Sequence, residues 1–501
     1  MSRRTELTAL APRYDLVIIG GGITGAGVLR EAVRTGARVL LVEQGDFASG
    51  TSSWSSKLVH GGLRYLKTGQ WRLTLESVRE RQRLLNEAPG LIDPQPFLMP
   101  LYRGVKPGKL VMRIGLFLYD LMAGSQKSHG LSAAEARALE PGIRAENLSG
   151  AVSYEDARTD DARLVLRLIL DSTADGATAL NYVRAKTVET AGRTAGVELL
   201  DLETGGSRSI EAGLVINATG AWAGSAAGAP ALRPLRGSHF VFPLQKLPLK
   251  QAVSWLHPRD QRPVFAYPWE GAVVYGTTDL DHGEALESPR ISPAESAYLL
   301  EGLDHQFPVA GLKASDAVAT YAGVRPVVAG GKGDPSAESR ESAMWSRSGL
   351  VCITGGKLTT FRVTAREVLR EASRQLPVLA PRAAAPVFSA SEDRSSRLHG
   401  RLGSAAARQV LAGIGAEQEK IAHTPYSWAE LRWSARHEWV VHLQDLLMRR
   451  TRIGLVMEQG GTALWPRIKD ICQQELGWDD QRWSTEEKGY KEYWRRQHAP
   501  L

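Results

Sequence analysis

The apolar and polar positions at the start of the chain switch from a strand pattern to a helix pattern and back. An apolar run begins at Tyr14, and a glycine-rich turn and a helical stretch follow. A second apolar run then ends at Glu43. Short runs that are apolar throughout are typical of strands buried on both faces of a parallel sheet. The pattern therefore predicts a βαβ unit over residues 14–43.

Further along the chain the same reasoning predicts several more elements. Strand-like runs indicate a mostly antiparallel sheet within 235–280 and single buried strands at 213–217 and 350–354. Helical spacing and a capping signal predict helices at 71–88, 160–175 and through most of the chain beyond 397. A segment rich in Pro, Ala and Ser, residues 376–397, is predicted to be a linker.

The helical segment 398–501 is predicted to form a separate C-terminal domain. Seven of the thirteen tryptophans fall between Trp428 and Trp494. Large aromatic side chains dominate the packing energy of the cores that contain them. We therefore expect this segment to have a core of its own.

The glycine turn of the first unit has the spacing of a dinucleotide-binding fingerprint. Gly20 permits the tight turn, Gly22 lets the backbone approach a pyrophosphate, and Gly25 lets helix and strand pack closely. The helix start at Ile23 and Thr24 directs backbone amides towards phosphate charge. Glu43 follows Gly25 by 18 residues, where a carboxylate can bind ribose hydroxyls.

Two later glycine-rich corners are predicted to converge on the same ligand. Each follows an apolar strand, and small residues there let the backbone pass close to a bulky group. The corners comprise Ala218, Thr219 and Gly220, and Gly355, Gly356, Lys357, Leu358 and Thr359. Both corners follow Glu43 in the chain, and this order of glycine-rich corners favours FAD over NAD as the cofactor.

A Ser-rich block after the first unit supplies further candidates for binding the cofactor and the substrate. Its hydroxyls and amides can bond a pyrophosphate or a ribityl chain, and its end is expected to lie against the flavin ring. The alternative is a serine-rich surface loop. The cofactor candidates are Thr51, Ser52, Ser53, Ser56, Lys57, His60 and Gly61, and the candidates facing the substrate are Arg64 and Tyr65.

Composition limits the remaining possibilities. The 501 residues carry a formal charge of +8, and two cysteines cannot form a disulfide framework or a multi-cysteine metal site. We find no apolar signal segment before the first strand, no spanning apolar run, no predicted metal site and no nucleic-acid motif. A basic stretch, 102–113, runs into apolar residues 114–122, which predicts either a membrane-surface element or a core helix with a solvated flank.

Taken together, these motifs resemble the FAD-dependent glycerol-3-phosphate dehydrogenases. The similarity extends over about residues 14–375 and resumes near the end of the chain, so it covers nearly the whole sequence. Ser-Ser-Lys-Leu followed by His-Gly-Gly-Leu-Arg-Tyr is far more specific than the glycine fingerprint. The motifs that carry the resemblance are Gly20–Gly25, Ser52–Tyr65, Gly276–Asp279, Gly323–Pro326, Gly355–Arg362, His437–Trp439 and Asp445–Arg452.

The resemblance implies a glutathione-reductase-type α/β FAD-binding domain with an inserted antiparallel substrate domain and a helical C-terminal domain. The oxidoreductase region is expected over 14–375, with the substrate domain at roughly 70–150 and 235–325. The implied reaction oxidises glycerol 3-phosphate to dihydroxyacetone phosphate by hydride transfer to FAD, with a quinone as the electron acceptor.

The implied chemistry assigns roles to individual residues. Arg325, Arg64 and Lys357 are candidates for binding the phosphate, because a phosphate dianion is held by forked or point cations. Histidine suits a base near neutral pH, and His239 is preferred over His60 because the family places that histidine near the substrate. Tyr65 and Thr277 can hold the substrate hydroxyls or the product carbonyl.

Two other reactions stay open at this point. An oxidase of glycerol 3-phosphate would reduce oxygen to peroxide, and in the resemblance oxidases tend to carry an insertion for which the interval between Arg325 and Gly355 leaves no room. An amino-acid oxidase of the same superfamily would grip a carboxylate. We expect a cytoplasmic protein held peripherally at the inner face of the cell membrane, and the sequence leaves a homodimer open.

Overall fold

The computed structural model describes residues 7–62, 71–106, 108–124, 127–191, 194–226, 228–331, 338 and 341–501. Two predicted substrate residues, Arg64 and Tyr65, lie outside the described residues. The described strands are β1 Arg13–Ile19, β2 Val39–Val42, β3 Leu58–Val59, β4 Ile92–Tyr102, β5 His129–Leu131, β6 Leu148–Thr159, β7 Thr178–Leu180, β8 Val183–Ala191, β9 Thr194–Asp201, β10 Ser207–Asn217, β11 Leu232–Pro243, β12 Ala252–Leu256, β13 Pro263–Trp269, β14 Ala272–Gly276, β15 Leu280–Asp281, β16 Ala319–Val328, β17 Ala343–Arg347 and β18 Leu350–Thr354.

The helices agree with the predicted positions at 71–88 and 160–175. The described α-helices are α1 Ile23–Val33, α2 Trp71–Glu87, α3 Lys109–Ala123, α4 Ala133–Leu139, α5 Asp161–Ala174, α6 Pro293–Gln306, α7 Phe361–Ser373, α8 Arg397–Leu402, α9 Ser404–Leu411, α10 Trp428–His437, α11 Leu443–Asp445, α12 Ile453–Val456, α13 Trp465–Leu476 and α14 Asp480–Gln497.

The first sheet has a parallel centre, in the order β18, β10, β1, β2 and β7. Antiparallel strands extend it, with β17 at one edge and β9 against β10. Because parallel strands point the same way, the carboxyl ends of β1, β10 and β18 lie at one edge of the sheet. The three predicted glycine-rich corners therefore follow neighbouring strands, as expected for a ligand site at this edge.

The second sheet runs in the order β15, β11, β14, β13, β12, β4, β6 and β3, with β16 against β11. Its pairs are antiparallel except for β4 with β12. This is the predicted antiparallel sheet, and the fold class is confirmed. The sheet takes strands from outside the expected ranges, since β3 comes from the Ser-rich block and β6 continues to Thr159.

Most of the buried apolar side chains of the C-terminal helices, apart from a small cluster around Leu402, Val410 and Ala429, do not form a core of their own. Their buried apolar side chains, including Trp428, Trp483 and Trp494, pack in one cluster with Tyr267 and Trp269 of the second sheet. The separate aromatic core was therefore a wrong expectation. The number of tryptophans indicates that much apolar surface is buried, but it does not show which segment of the chain packs against them.

The segment predicted as a linker packs closely against the first sheet region. Val387 and Phe388 are buried in the same cluster as α1 and α5. The Arg30 Nε donates to the Val387 carbonyl at 2.7 Å. The segment therefore crosses the protein surface with three of its apolar side chains, Leu379, Val387 and Phe388, buried.

Candidate active site

The glycine turn after β1 has the close contacts that its spacing predicts. Gly20 has a φ of +112°, and a Cβ there would lie 2.6 Å from the Ala218 carbonyl oxygen. A Cβ on Gly25 would lie 1.9 Å from the Gly20 carbonyl oxygen. Both positions therefore require glycine: Gly20 for the turn beside β10, and Gly25 for the packing of α1 on β1.

Glu43 holds this turn in place from the end of β2. Its two carboxylate oxygens accept the N–H groups of Gly21 at 2.7 Å and Gly45 at 2.8 Å. Burial raises the pKa of Glu43, while these two hydrogen bonds lower it. A carboxylate oxygen can accept more than one hydrogen bond, so the position still suits a ribose hydroxyl.

The Ser-rich block lies across the start of α1. The Ser52 Oγ accepts the Ile23 N–H at 2.9 Å, and Thr51 donates to the Val324 carbonyl of β16 at 2.5 Å. Within the described chain, the buried Ser53 hydroxyl has no hydrogen-bond partner. This loop therefore joins the glycine turn to the second sheet and presents a polar atom that a bound cofactor can satisfy.

The other predicted corners close around the same edge. Gly355 and Gly356 have φ values of +76° and +83°, and Gly220 has +59°, all in the left-handed region. The Thr359 hydroxyl donates to the His60 carbonyl at 3.2 Å. The corner after β18 thus contacts the Ser-rich block, and its helix, α7, begins only at Phe361.

Gly61 has a packing role that its motif did not reveal. A Cβ there would lie 2.2 Å from the Val78 side chain and 2.5 Å from the Tyr119 hydroxyl. Its N–H donates to that hydroxyl at 2.8 Å. The glycine is therefore required by the contact with α2 and α3, whatever lies on its other side.

His239 is buried in the second sheet beside the Ser-rich block. Its Nε2 lies 3.0 Å from the Ser56 Oγ, and its ring stacks on Tyr321 with centroids 4.5 Å apart. Burial, followed by the charges of Arg325 and Lys57, holds the pKa of His239 well below its ordinary value. The imidazole is therefore neutral near pH 7, which is the state that a general base needs.

Arg325 lies near His239 on the neighbouring strand and is about one quarter exposed. Its Nη1 donates to Asp279 at 2.7 Å, and 24% of its side chain is accessible. Gly237 makes room for it, since a Cβ there would lie 2.6 Å from the Arg325 Nη2 and 2.7 Å from the Thr277 Oγ1. The structure thus brings Ser56, His239, Thr277 and Arg325 into one region.

Sequence reasoning gave Asp279 and Gly237 no role. Asp279 stood within a quoted motif, and its charge next to a strand end was the available signal. Gly237 precedes Ser238 and His239 on a strand, where a glycine marks a close approach of another group. Tyr321 gave no signal, because only the register of β11 with β16 places it opposite His239.

Lys57, predicted as a cofactor-binding residue, directs its side chain into the protein interior. The ammonium is buried and donates to the Ser53 carbonyl at 2.7 Å and to Asp161 at 3.0 Å. Burial, opposed by the charge of Asp161, lowers the pKa of Lys57 to about 8. Its amine therefore contacts the protein interior below the Ser-rich block, and only its backbone remains a candidate for the cofactor.

Asp161 connects Lys57 to a buried group of charges that we call the ionic junction. Arg452 bonds both Asp160, at 2.7 Å, and Asp161, at 2.6 Å. The sequence predicted a helix cap here, and the Asp160 carboxylate does accept the Arg163 N–H at 3.2 Å. The ionic junction comprises Asp46, Asp160, Asp161 and Glu438 with Lys57, Arg163, Arg401, Arg449, Arg450 and Arg452.

The two C-terminal motifs of the sequence supply four of the ten residues of this junction, namely Glu438, Arg449, Arg450 and Arg452. Glu438 binds Arg163 of α5 and accepts the Arg450 Nε at its carbonyl. The ring of His498 packs against that of Trp54 in the Ser-rich block, with centroids 4.9 Å apart and the planes tilted by 35°. The helical C-terminal segment is therefore tied to the loop that carries Ser56.

Lys357 lies on the corner after β18, and its charge reaches α2. Burial raises the pKa of Glu76 in that helix, and the charge of Lys357 opposes this rise. The Lys357 side chain is half-buried, as is that of the other candidate base, His60.

The family comparison agrees with this architecture. Residues 15–369 match the FAD dependent oxidoreductase family. Residues 355–483 match the C-terminal domain of alpha-glycerophosphate oxidase. The first match covers well over half of the chain, and the second extends the similarity through most of the helical segment.

Individual relatives narrow the assignment. The chain is 39% identical to the aerobic glycerol-3-phosphate dehydrogenase of Staphylococcus epidermidis over 375 residues, which are 72% of this chain and 67% of that one. The protein of the same name from Staphylococcus aureus gives the same figures.

Solved structures give a similar picture. The glycerol-3-phosphate dehydrogenase of Bacillus halodurans complexed with FAD aligns with a TM-score of 0.76 and 27% identity, covering 97% of this chain and 95% of that one. The L-alpha-glycerophosphate oxidase of Mycoplasma pneumoniae, at 0.58 and 19%, covers 76% and 99% and shares the fold. The chain belongs to the FAD-dependent oxidoreductases and, within them, to the glycerol-3-phosphate dehydrogenase family.

Proposed function

We propose that this protein oxidises sn-glycerol 3-phosphate to dihydroxyacetone phosphate with FAD as its cofactor and a quinone as electron acceptor. The observation that carries the proposal is the placement of a neutral, buried His239 beside a partly exposed Arg325, at the edge where the glycine corners meet. The curated relatives bear the name of this activity.

The residues present fit FAD. The glycine turn, Glu43 and the Ser-rich block would hold the adenine dinucleotide, and the corners after β10 and β18 would hold the remainder. Bound FAD would supply the hydride acceptor. The buried Ser53 hydroxyl is a group that such a ligand completes, and the start of α1 faces phosphate charge favourably.

Protein side chains bind the substrate and accept its hydroxyl proton. Arg325 binds the substrate phosphate through charge-assisted hydrogen bonds, while Asp279 fixes the direction of its guanidinium. Thr277 can orient a substrate oxygen, and Arg64, Tyr65 and Lys357 remain proposed partners. His239 accepts the hydroxyl proton, because its imidazole is neutral and Ser56 and Tyr321 hold the ring in place.

Anaerobic reduction of the flavin tests this function directly. We expect glycerol 3-phosphate to bleach the flavin absorbance of the FAD-loaded protein and to give one dihydroxyacetone phosphate per flavin. Glycerol, which lacks the phosphate, is the matched control and is expected to leave the spectrum unchanged. Bleaching by glycine or a D-amino acid instead would assign the protein to the amino-acid oxidases.

An oxidase is the second candidate, because residues 355–483 match a domain described for alpha-glycerophosphate oxidase. The two activities differ in the electron acceptor alone. Reoxidation of the reduced protein by a soluble quinone, faster than by air and without stoichiometric peroxide, is expected for the dehydrogenase. Stoichiometric peroxide in air would favour the oxidase.

We also propose that helix α3 docks on the anionic inner face of the cell membrane, where a lipid-soluble quinone resides. Its large apolar side chains on one face are between 53% and 71% exposed: Leu110, Val111, Ile114, Phe117 and Leu121. Exposed Arg103, Lys106 and Arg113 flank this face. Of the two sequence predictions for this segment, this exposure favours the membrane-surface element over the core helix.

Sedimentation with lipid vesicles tests the docking. We expect binding to vesicles rich in anionic lipid and weak binding to neutral ones, with the Phe117→Ser variant releasing the protein. Ile414→Ser removes an apolar side chain outside α3 that is even more exposed, 87% against 56% for Phe117, and serves as the control. Among the described helices, none is long and apolar enough to cross a bilayer. Equal loss of binding in both variants would contradict a site on α3.

A further inference from the structure

A cavity lined by none of the candidate active-site residues lies where three parts of the chain meet. It encloses about 530 Å³ between the start of β4, the turn joining β13 to β14, and the C-terminal segment. We call it the junction pocket. None of the predicted cofactor or substrate residues lines it, and its volume lies within the range of small-molecule sites.

The lining of the junction pocket carries more positive than negative charge. Its cations are Arg158, Arg397, Arg401 and Lys420, and its carboxylates are Asp93, Asp160 and Glu270. Each carboxylate is engaged: Glu270 by Arg397 at 2.6 Å, Asp160 by Arg401 at 3.0 Å, and Asp93 by the Gly90 N–H at 2.8 Å.

The cations exceed the carboxylates by one, and Arg158 and Lys420 are the two cations outside the ion pairs just described. The Arg158 Nη1 donates to the Pro268 carbonyl at 3.2 Å and to the Gln95 amide oxygen at 3.5 Å. Within the described part of the chain, no carboxylate forms an ion pair with either cation. A guanidinium has five N–H donors, so most of the hydrogen-bonding capacity of Arg158 is not used by these two contacts.

We propose that the junction pocket binds a phosphate group, either as free phosphate or as a small phosphate ester. Arginine and lysine around one cavity match the shape and charge of a phosphate dianion. The ligand would bridge the second sheet and the C-terminal segment, because Arg158 belongs to the sheet and Lys420 to the segment. It would bind the folded arrangement alone and so stabilise it.

Thermal unfolding of the FAD-loaded full chain tests this proposal. Because Arg325 is itself a proposed phosphate ligand, the measurements are made in the wild type and in Arg325→Ala. We expect inorganic phosphate to raise the melting temperature in both, in a saturable way, and more than sodium chloride of equal ionic strength. Protection that disappears in Arg325→Ala would place the phosphate at the active site and overturn the proposal.

Variants of the pocket complete the test. Lys420→Glu changes an exposed residue and is expected to weaken phosphate binding, so that the half-saturating phosphate concentration rises at least tenfold. Arg158→Gln should raise it by a similar factor. Lys488→Gln, at an exposed lysine of α14, is the control and should leave phosphate protection unchanged. Equal protection in Lys420→Glu and the wild type would refute the proposal.

The source of the phosphate is distinguished by comparing inorganic phosphate with ribose 5-phosphate in the Arg325→Ala protein. Tighter binding of the ester would indicate that the rest of the cavity is used as well, and equal binding would identify the free ion as the ligand. No protection by either compound would contradict the site.

Discussion

Arginines carry opposite roles in two regions of this protein. Arg325, in the candidate active site, keeps about a quarter of its side chain accessible and is oriented by Asp279. Arg452, in the ionic junction, is fully buried and bonds Asp160, Asp161 and the Met448 carbonyl. The comparison shows that accessibility, rather than residue type, separates an arginine that can bind a ligand from one that holds segments together.

The largest expected effect is on the chemistry at His239. His239→Asn should lower the rate of flavin reduction by about 10²- to 10⁴-fold, because a positioned base is lost. The free energy of unfolding should change little. Stopped-flow reduction under anaerobic conditions measures the rate. Since the pKa of His239 lies well below 6.5, the wild-type rate should not fall as pH decreases through 6.5.

On the other side of the comparison, Arg452→Gln should leave two buried carboxylates without their main partner. We expect a loss of about 3–5 kcal/mol in the free energy of unfolding. Urea unfolding measures it. Arg436→Gln removes a surface ion pair to Glu475, with 56% of the arginine exposed, and should cost less than about 1 kcal/mol. Similar losses in both variants would remove the distinction between buried and exposed pairs.

Arg325→Ala should affect catalysis. Loss of charge-assisted bonds to the phosphate is expected to lower kcat/KM by about 10- to 150-fold, or roughly 1.5–3 kcal/mol, with FAD content retained. Arg262→Ala, a more distant partner of Asp279 at 3.5 Å, is the matched control. Unchanged affinity for glycerol 3-phosphate in Arg325→Ala would discard the phosphate assignment.

A smaller change tests the space around Arg325. Gly237→Ala would place a methyl group 2.6 Å from the Arg325 Nη2 and 2.7 Å from the Thr277 Oγ1. The arginine must shift, so we expect KM to rise roughly fivefold, on the order of 1 kcal/mol. Steady-state kinetics measure this change. Gly489→Ala, on α14 with nothing within 4 Å of the added atom, should leave KM as it is.

The smallest expected effect concerns His442, beside the ionic junction. Burial opposes its protonation, but a hydrogen bond to Glu486 and the charges of Asp445 and Glu203 raise the pKa of His442 to about 9. Its stabilisation is therefore full below pH 6.5 and is lost as pH rises through 9. His442→Gln should remove that pH dependence, on the order of 0.5 kcal/mol because the side chain is partly exposed. Unfolding at pH 6 and 9.5 measures it.

Local patterns were sufficient for the elements that depend on neighbours in sequence. The βαβ unit, helices α2 and α5 and the strands before the glycine corners fall where periodicity and capping placed them. Gly20 and Gly25 were predictable because their constraints come from the same turn. The direction of the Lys57 side chain was not, since its partner Asp161 is more than a hundred residues away.

The C-terminal segment shows the same limit more strongly. The tryptophans of this segment predicted a buried aromatic core, but they did not predict that the second sheet would contribute to the same core. Glu438, Arg450 and Arg452 stood in motifs that carry the family resemblance, yet their positions in the chain gave no sign that they are structural. Burial and ion pairing decide this, and both depend on segments brought together only by folding.

The sequence by itself determined the nucleotide-binding unit, the family and the residues able to hold a phosphate or accept a proton. These follow from short-range constraints on glycine turns, strands and caps. The tertiary structure alone decided which charged groups stay accessible. It sets Tyr321 opposite His239 through the register of β11 with β16 and brings the charge of Arg325 within reach of that imidazole. It also buries Arg452 among carboxylates from distant segments. The physical reason is that the solvation of a charge depends on everything packed around it.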